Sequence, residues 1–147
     1  MKVTMLLADS AQAVGGKLYI LGGGWSVAGP GPSASAIALK IEVPWDETNQ
    51  RHTLLLKLLD ADGRPVLVPS PTGDVPLEIP GEFEVGRPAG IHPGTPIDVP
   101  AAISIGPVPI PPGRRYVWRL SIDGRSEPDW EVAFSTRPAP QGSRRTG

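Results

Sequence analysis

Residues 115–124 read Arg115-Tyr116-Val117-Trp118-Arg119-Leu120-Ser121-Ile122-Asp123-Gly124, and residues 130–135 read Trp130-Glu131-Val132-Ala133-Phe134-Ser135. Tyr116, Trp118, Leu120 and Ile122 alternate with Arg115, Val117, Arg119 and Ser121, a period of two that only an extended strand can present to a single buried face. Trp130, Val132 and Phe134 repeat the pattern against Glu131, Ala133 and Ser135. Asp123-Gly124 opens the turn between them, a dipeptide suited to the positive φ angles of tight hairpins. The outer-face arginines and Glu131 are expected to form cross-strand ion pairs, each worth a few tenths of a kcal/mol.

The same period recurs upstream. Ile37, Leu39, Ile41 and Val43 face one way, with Ala38, Lys40 and Glu42 on the other side and Pro44 as the stop. Leu54, Leu56 and Leu58 alternate within 51–60, where leucine alone would also allow a helix. The turn Asp60-Ala61-Asp62-Gly63-Arg64-Pro65 before Val66-Leu67-Val68 favours a strand there. Leu77, Ile79, Phe83 and Val85 share one parity, interrupted by Pro80-Gly81. Ile97, Val99, Ala101, Ile103 and Ile105 share another, interrupted by Pro100. Proline donates no ladder hydrogen bond, so both runs are expected at sheet edges. The expected fold is all-β: an antiparallel β-sandwich, immunoglobulin-like or jelly-roll-like, of eight or nine strands. Residues 1–137 are expected to form one domain, and residues 138–147 a mobile Pro/Gly/Arg tail.

Composition agrees. The 147 residues include 18 Gly and 19 Pro, spread between short apolar runs, which disfavours helix interiors throughout. There is no cysteine, so disulfides, thiolate metal sites and thiol nucleophiles are excluded, and a reducing, cytoplasmic setting is expected. Net charge is -1, from 14 basic and 15 acidic side chains, which gives no electrostatic footprint for nucleic acid or an anionic membrane surface. Arg137, Arg144 and Arg145 in the tail are too few to change that reading. The apolar run 3–8 is closed by Asp9 and is shorter than a signal-peptide core of about 7–15 residues, so it is read as a first strand. No run approaches the ~18 apolar residues of a membrane helix.

Gly15-Gly16 leads into Lys17-Leu18-Tyr19-Ile20-Leu21 and then Gly22-Gly23-Gly24-Trp25. The segment is expected to be a two-glycine turn, a buried strand over 18–21, and a glycine bulge where another backbone passes close. Residues 9–14 before it read as a connector, and 25–28 as a short strand. The three glycines lack the Lys-Ser/Thr and following helix of a phosphate loop, and one blade-like phrase without repetition does not make a propeller.

Other candidate chemistry fares similarly. Asp60 and Asp62 resemble the opening of a calcium loop, but the twelfth position is Pro71 rather than glutamate. His52 and His92 are the only histidines and have no metal-ligand spacing, so no metal and no cofactor are expected. His52 shares parity with Leu54 and is expected to be partly buried and hydrogen-bonded. No Gly-x-Ser-x-Gly elbow accompanies it, so no catalytic residues are assigned. Trp118 and Trp130 have core parity. Trp25 and Trp45 adjoin Gly or Pro at strand ends, where an exposed indole stacks on a sugar or anchors a partner and a buried one packs a rim.

Four blocks are similar to a family of small uncharacterised bacterial proteins: 5–10, 16–25 (the GKLYILGGGW run), Val43-Pro44-Trp45-Asp46-Glu47-Thr48-Asn49 with His52, and 58–63. The resemblance covers about the first 65 residues, and it implies no activity, so no site residues follow from it.

The functional expectation is therefore a non-enzymatic structural or protein-interaction module, with a protein partner or a second copy of itself. Prolines guard several strands, while Leu55, Leu59 and Val117 lie on outer faces that a partner would cover. Trp25, Trp45 and His52 are the candidate ligand or partner surface. A carbohydrate or small-ligand binding module using Trp25 and Trp45 is the alternative. A hydrolase or metal enzyme built on His52 is the weaker one.

Overall fold

A computed structural model describes residues 1–140; the rest of the expected tail, with Arg144 and Arg145, lies outside the described residues. Over the described residues the architecture is all-β and sandwich-like, with eleven strands and one three-residue turn of 3-10 helix, Trp45–Glu47.

The first sheet runs in the order β2 (Lys17–Gly23), β1 (Lys2–Val14), β4 (Ser35–Val43) and β9 (Ile97–Ile105). The second runs β3 (Val27–Ala28), β11 (Glu131–Thr136), β10 (Arg115–Ile122), β5 (His52–Asp60) and β8 (Glu78–Phe83). A two-stranded ribbon joins β6 (Leu67–Val68) to β7 (Val75–Pro76). The short runs expected at 25–28 and 66–68 appear as β3 and β6, two residues each, and β7, also two residues and without readable alternation, adds a strand beyond the eight or nine expected. The second sheet is also mixed rather than purely antiparallel, because β3 lies parallel to β11 through Val27 opposite Ser135. The chain leaves the edge of the first sheet after β2 and arrives at the edge of the second, which sets that direction.

The core is the meeting of the two inner faces. Ile37, Leu39, Ile41 and Val43 of β4 pack with Leu54, Leu56 and Leu58 of β5 and with Tyr116, Trp118, Leu120 and Ile122 of β10. Trp118 and Trp130 are both buried, as their parity predicts. The prolines mark edges as expected: β8, with Pro80, and β9, with Pro100, each end a sheet. Arg119 donates to the Glu131 carboxylate at 2.9 Å across the β10–β11 pair.

The N-terminal third departs most from expectation. Residues 9–14 are not a connector; β1 runs on through them, giving a strand of 13 residues from Lys2 to Val14. Gly15 and Gly16 both have positive φ (59° and 76°), the geometry of a two-residue hairpin turn whose twist matches its strands. That turn holds β2 against β1 from Lys17 opposite Val14 to Gly23 opposite Ala8, so pairing extends β1 past what its Asp-Ser-Ala-Gln composition favours. Beyond Ala8, β1 has no pairing with β4 and is joined only to β2. The β1–β2 ribbon coils over the outer face of the first sheet, where Ala11 and Leu18 pack on Ala36, Ala38 and Ala102.

Candidate functional site

The three residues singled out from the sequence do not converge. Trp25 packs edge-to-face on Phe134, with ring centres 6.1 Å apart, and Phe134 stands opposite Tyr116 at the start of β10. His52 bonds Asp123, just past the end of the same strand. Trp25 and His52 thus sit at opposite ends of β10, and Trp45 shares the His52 end through the 3-10 turn.

At that end the side chains satisfy one another. His52 is 3% exposed and stacks on Phe83 at 5.1 Å. Its Nδ1 lies 2.6 Å from the Asp123 carboxylate, and its Nε2 lies 2.7 Å from the Glu47 carbonyl oxygen. Both partners are acceptors, so the doubly protonated imidazolium is the form that satisfies both nitrogens. The second Asp123 oxygen accepts the Thr53 N–H at 3.0 Å. Asp123 holds φ at 52°, a left-handed conformation that Asp tolerates better than most residues. A carboxylate beside a histidine is half of a general-base arrangement. Here, however, Nε2 is spent on a backbone carbonyl and leaves no ring nitrogen for a substrate proton. A recess of about 260 Å3, lined in part by Glu47, Asp123, Glu127 and Trp130, opens beside the pair.

Burial works against the charge on His52, yet hydrogen bonds to Asp123 and Glu47 with the nearby negative charge outweigh it and raise the His52 pKa above 6.5. The hydrogen bond from His52, followed by that from the Thr53 N–H, lowers Asp123 below 3.8. A raised histidine stabilises fully below its ordinary pKa and loses that contribution as pH rises through the raised folded value. A lowered carboxylate stabilises above its ordinary pKa and loses that contribution as pH falls through its folded value. The pair therefore contributes most between about pH 4 and 6.5. The melting temperature of the parent chain is expected to fall on the alkaline side of that window, with the slope removed in His52→Gln. A parent profile flat from about pH 6 to 9 contradicts it.

Trp45 is half-buried and already covered. The Arg87 guanidinium lies 4.2 Å above its ring, donates to the Trp45 carbonyl at 2.6 Å and to Thr48 Oγ1 at 2.8 Å. This cation–π clamp from the loop after β8 occupies the ring face that a sugar would use. Sequence reading missed Arg87 and saw Asp123 only as a turn residue, since the partner of each lies far away in the chain. Asp60 is likewise occupied: its carboxylate accepts the N–H groups of Asp62 and Arg64 and shapes its own turn.

Trp25 is mostly inside. Its indole nitrogen is fully buried without a hydrogen-bond partner. The ring lines an apolar cavity of about 60 Å3 with Leu7, Leu58, Trp118 and Phe134, under the loop Gly29-Pro30-Gly31-Pro32-Ser33. It also borders an open cleft edged by Asp9, Gly22, Gly23, Gly24 and Arg137.

The exposed apolar surface lies elsewhere. Leu59 is buried and bridged to Pro65, and Leu55 and Val117 are half-buried, so the outer face of the second sheet does not call for a partner. Strand β2 is instead the exposed one. Leu21 is 71% exposed, Tyr19 56% and Ile20 41%, with Val14 on β1 at 56%. The expected buried strand over 18–21 is corrected: only Leu18 is half-buried, packed against Ala11, Ala36 and Ala38, whereas Tyr19, Ile20 and Leu21 are exposed. The close approach at Gly22 is also corrected. A side chain there would collide with the Asp9 carboxylate, not with a passing backbone, and Gly22 has φ of 61°.

Strand β2 has a second property. The other edges of the two main sheets are guarded: β9 carries Asp98 and Pro100, β8 carries Glu78, Pro80 and Glu82, and β3 is two residues long, as is each strand of the β6–β7 ribbon. Charges, prolines and shortness are the usual means of preventing edge-to-edge pairing. Over Lys17–Gly23, β2 has seven residues, one charge and no proline, and it ends its sheet with one edge unpaired among the described residues.

Among the described residues no helix is long and apolar enough to cross a membrane. A family model described as a family of unknown function (DUF6941) matches residues 3–133. No curated protein and no solved structure matches the chain.

Proposed function

Because the chain belongs to this family of unknown function, it inherits no activity from a relative, and we propose from its surface that it is a non-enzymatic protein-interaction module that docks by strand addition at β2. The observation that supports this most is the unguarded β2 edge bearing Tyr19, Ile20 and Leu21. Unpaired backbone groups there supply the affinity of an added strand, and alternate side chains supply the selectivity. Within the two main sheets, three guarded edges beside one bare edge are what strand addition at a single site requires. The His52–Asp123 and Arg87–Trp45 contacts fit a structural role, fastening the opposite end so that the ribbon is held on a rigid frame.

The test is amide exchange and native mass of the protein as recovered from its source. The β2 amides are expected to be protected within an assembly heavier than 15.5 kDa, and Leu21→Lys is expected to release them while the fold persists. A lone 15.5 kDa chain whose β2 amides exchange like its loops contradicts the proposal.

The buried, unpartnered Trp25 N–H favours a second reading, a site for a small acceptor-bearing group. A cavity of about 60 Å3 is less than half of the ~150 Å3 that holds benzene in an engineered protein, so it takes two or three heavy atoms. Acetonitrile, with three heavy atoms and an acceptor nitrogen, is the matching probe: the Trp25 indole resonance should shift on titration, and an unmoved resonance removes the reading.

A further inference from the structure

Resting on the strand-addition reading, we infer that the strand added at β2 is β2 of a second copy, joined antiparallel across a two-fold axis through Ile20. An antiparallel pair of identical strands has its two-fold axis normal to the sheet, so one residue faces its own copy. Centring on Ile20 places Tyr19 opposite the partner's Leu21, Leu18 opposite the partner's Gly22, and Lys17 opposite the partner's Gly23. Each large side chain then meets a complementary one or a glycine. Centring on Tyr19 would instead set Lys17 against the partner's Leu21.

Charge points the same way. Lys17 is the one charged residue of the strand and sits at its start. In the antiparallel arrangement the two ammonium groups lie at opposite ends, roughly 20 Å apart, well beyond the screening length of about 8 Å. Parallel pairing would place them side by side. The central stretch has no charge with which to select a foreign strand, so what it offers is fit to itself. The interface is isologous and closes after two copies, which joins two four-stranded sheets into one of eight and removes the bare edge from both. It also sets the residues left open in one copy, Tyr19, Ile20 and Leu21, beside cross-strand apolar neighbours.

The absence of cysteine makes the test direct. The full-length parent chain is expected to have twice the 15.5 kDa mass at about 100 µM, where even micromolar affinity populates the dimer. Ile20→Cys is expected to give a cross-linked dimer on mild oxidation, and a mixture of Tyr19→Cys with Leu21→Cys a mixed one. Glu82→Cys, on the guarded β8 edge, is expected to stay uncross-linked. Leu21→Lys, at the most exposed apolar position, is expected to run as a folded monomer with at least a tenfold loss of association. A folded parent that is monomeric at this concentration overturns the inference, as does cross-linking of Glu82→Cys as readily as Ile20→Cys. The two failures remain distinguishable: a complex holding a different chain at β2 overturns the second copy and leaves strand addition standing, whereas freely exchanging β2 amides with no complex overturn both.

Discussion

Replacing His52 by alanine is expected to lower the unfolding free energy by about 2–4 kcal/mol. The side chain is almost fully buried at the start of β5, and three neighbours depend on it. The Glu47 carbonyl loses its donor, Asp123 loses the nearer of its two bonds, and Phe83 loses the ring it stacks on. An unsatisfied polar group at a part-buried site costs about 1–3 kcal/mol, and the vacated ring volume adds a cavity cost. Asp123→Asn should cost less. Asparagine tolerates the left-handed backbone of that turn, keeps the Thr53 contact, and the position is half-exposed, so only the charge changes. Urea denaturation of the three proteins at pH 6 gives the comparison, and an alanine variant within about 0.5 kcal/mol of the parent would show that the histidine is not a structural fastener.

This contact also marks the boundary of what the sequence discloses. The parity of His52 with Leu54 and Leu56 is local, and it correctly places the ring on the buried face. Its partner is 71 residues away, at a turn readable only as Asp-Gly. Nothing but the completed β5–β10 pairing brings them together, because Ile122 lies opposite Leu54 and carries Asp123 to the strand end. The proline edges were legible for the opposite reason: a missing N–H is a property of one residue and holds in any sheet. Ribbon β1–β2 was legible only in half. The glycine turn and the alternation from Lys17 to Leu21 announce a strand. Alternation states which residues share a face, but not whether a second layer covers it. Trp25 was ambiguous at the same level, since a tryptophan beside glycines is equally at home outside or, as here, against Phe134.

The division between residues that hold the fold and residues that are left over from it gives the largest contrast in stability. Leu39 is fully buried at the centre of β4, opposite Met5 on one neighbour and Ala101 on the other. Leu39→Ala is expected to cost about 3–4 kcal/mol, the transfer of a buried side chain plus a cavity that two flanking strands cannot close. Leu21 is the same residue type on the same sheet, one strand beyond β1, yet most of its surface already meets water. Leu21→Ala should shift the stability of the isolated chain by no more than about 0.5 kcal/mol, measured under dilute conditions where any assembly is dissociated. At high concentration the same substitution should lower the apparent stability, because whatever binds the folded state adds to it by mass action. A Leu21→Ala cost that is large and independent of concentration would place Leu21 in the core and leave the ribbon without surplus apolar surface. A cost that grows with concentration is what a residue retained for association, and not for folding, must show.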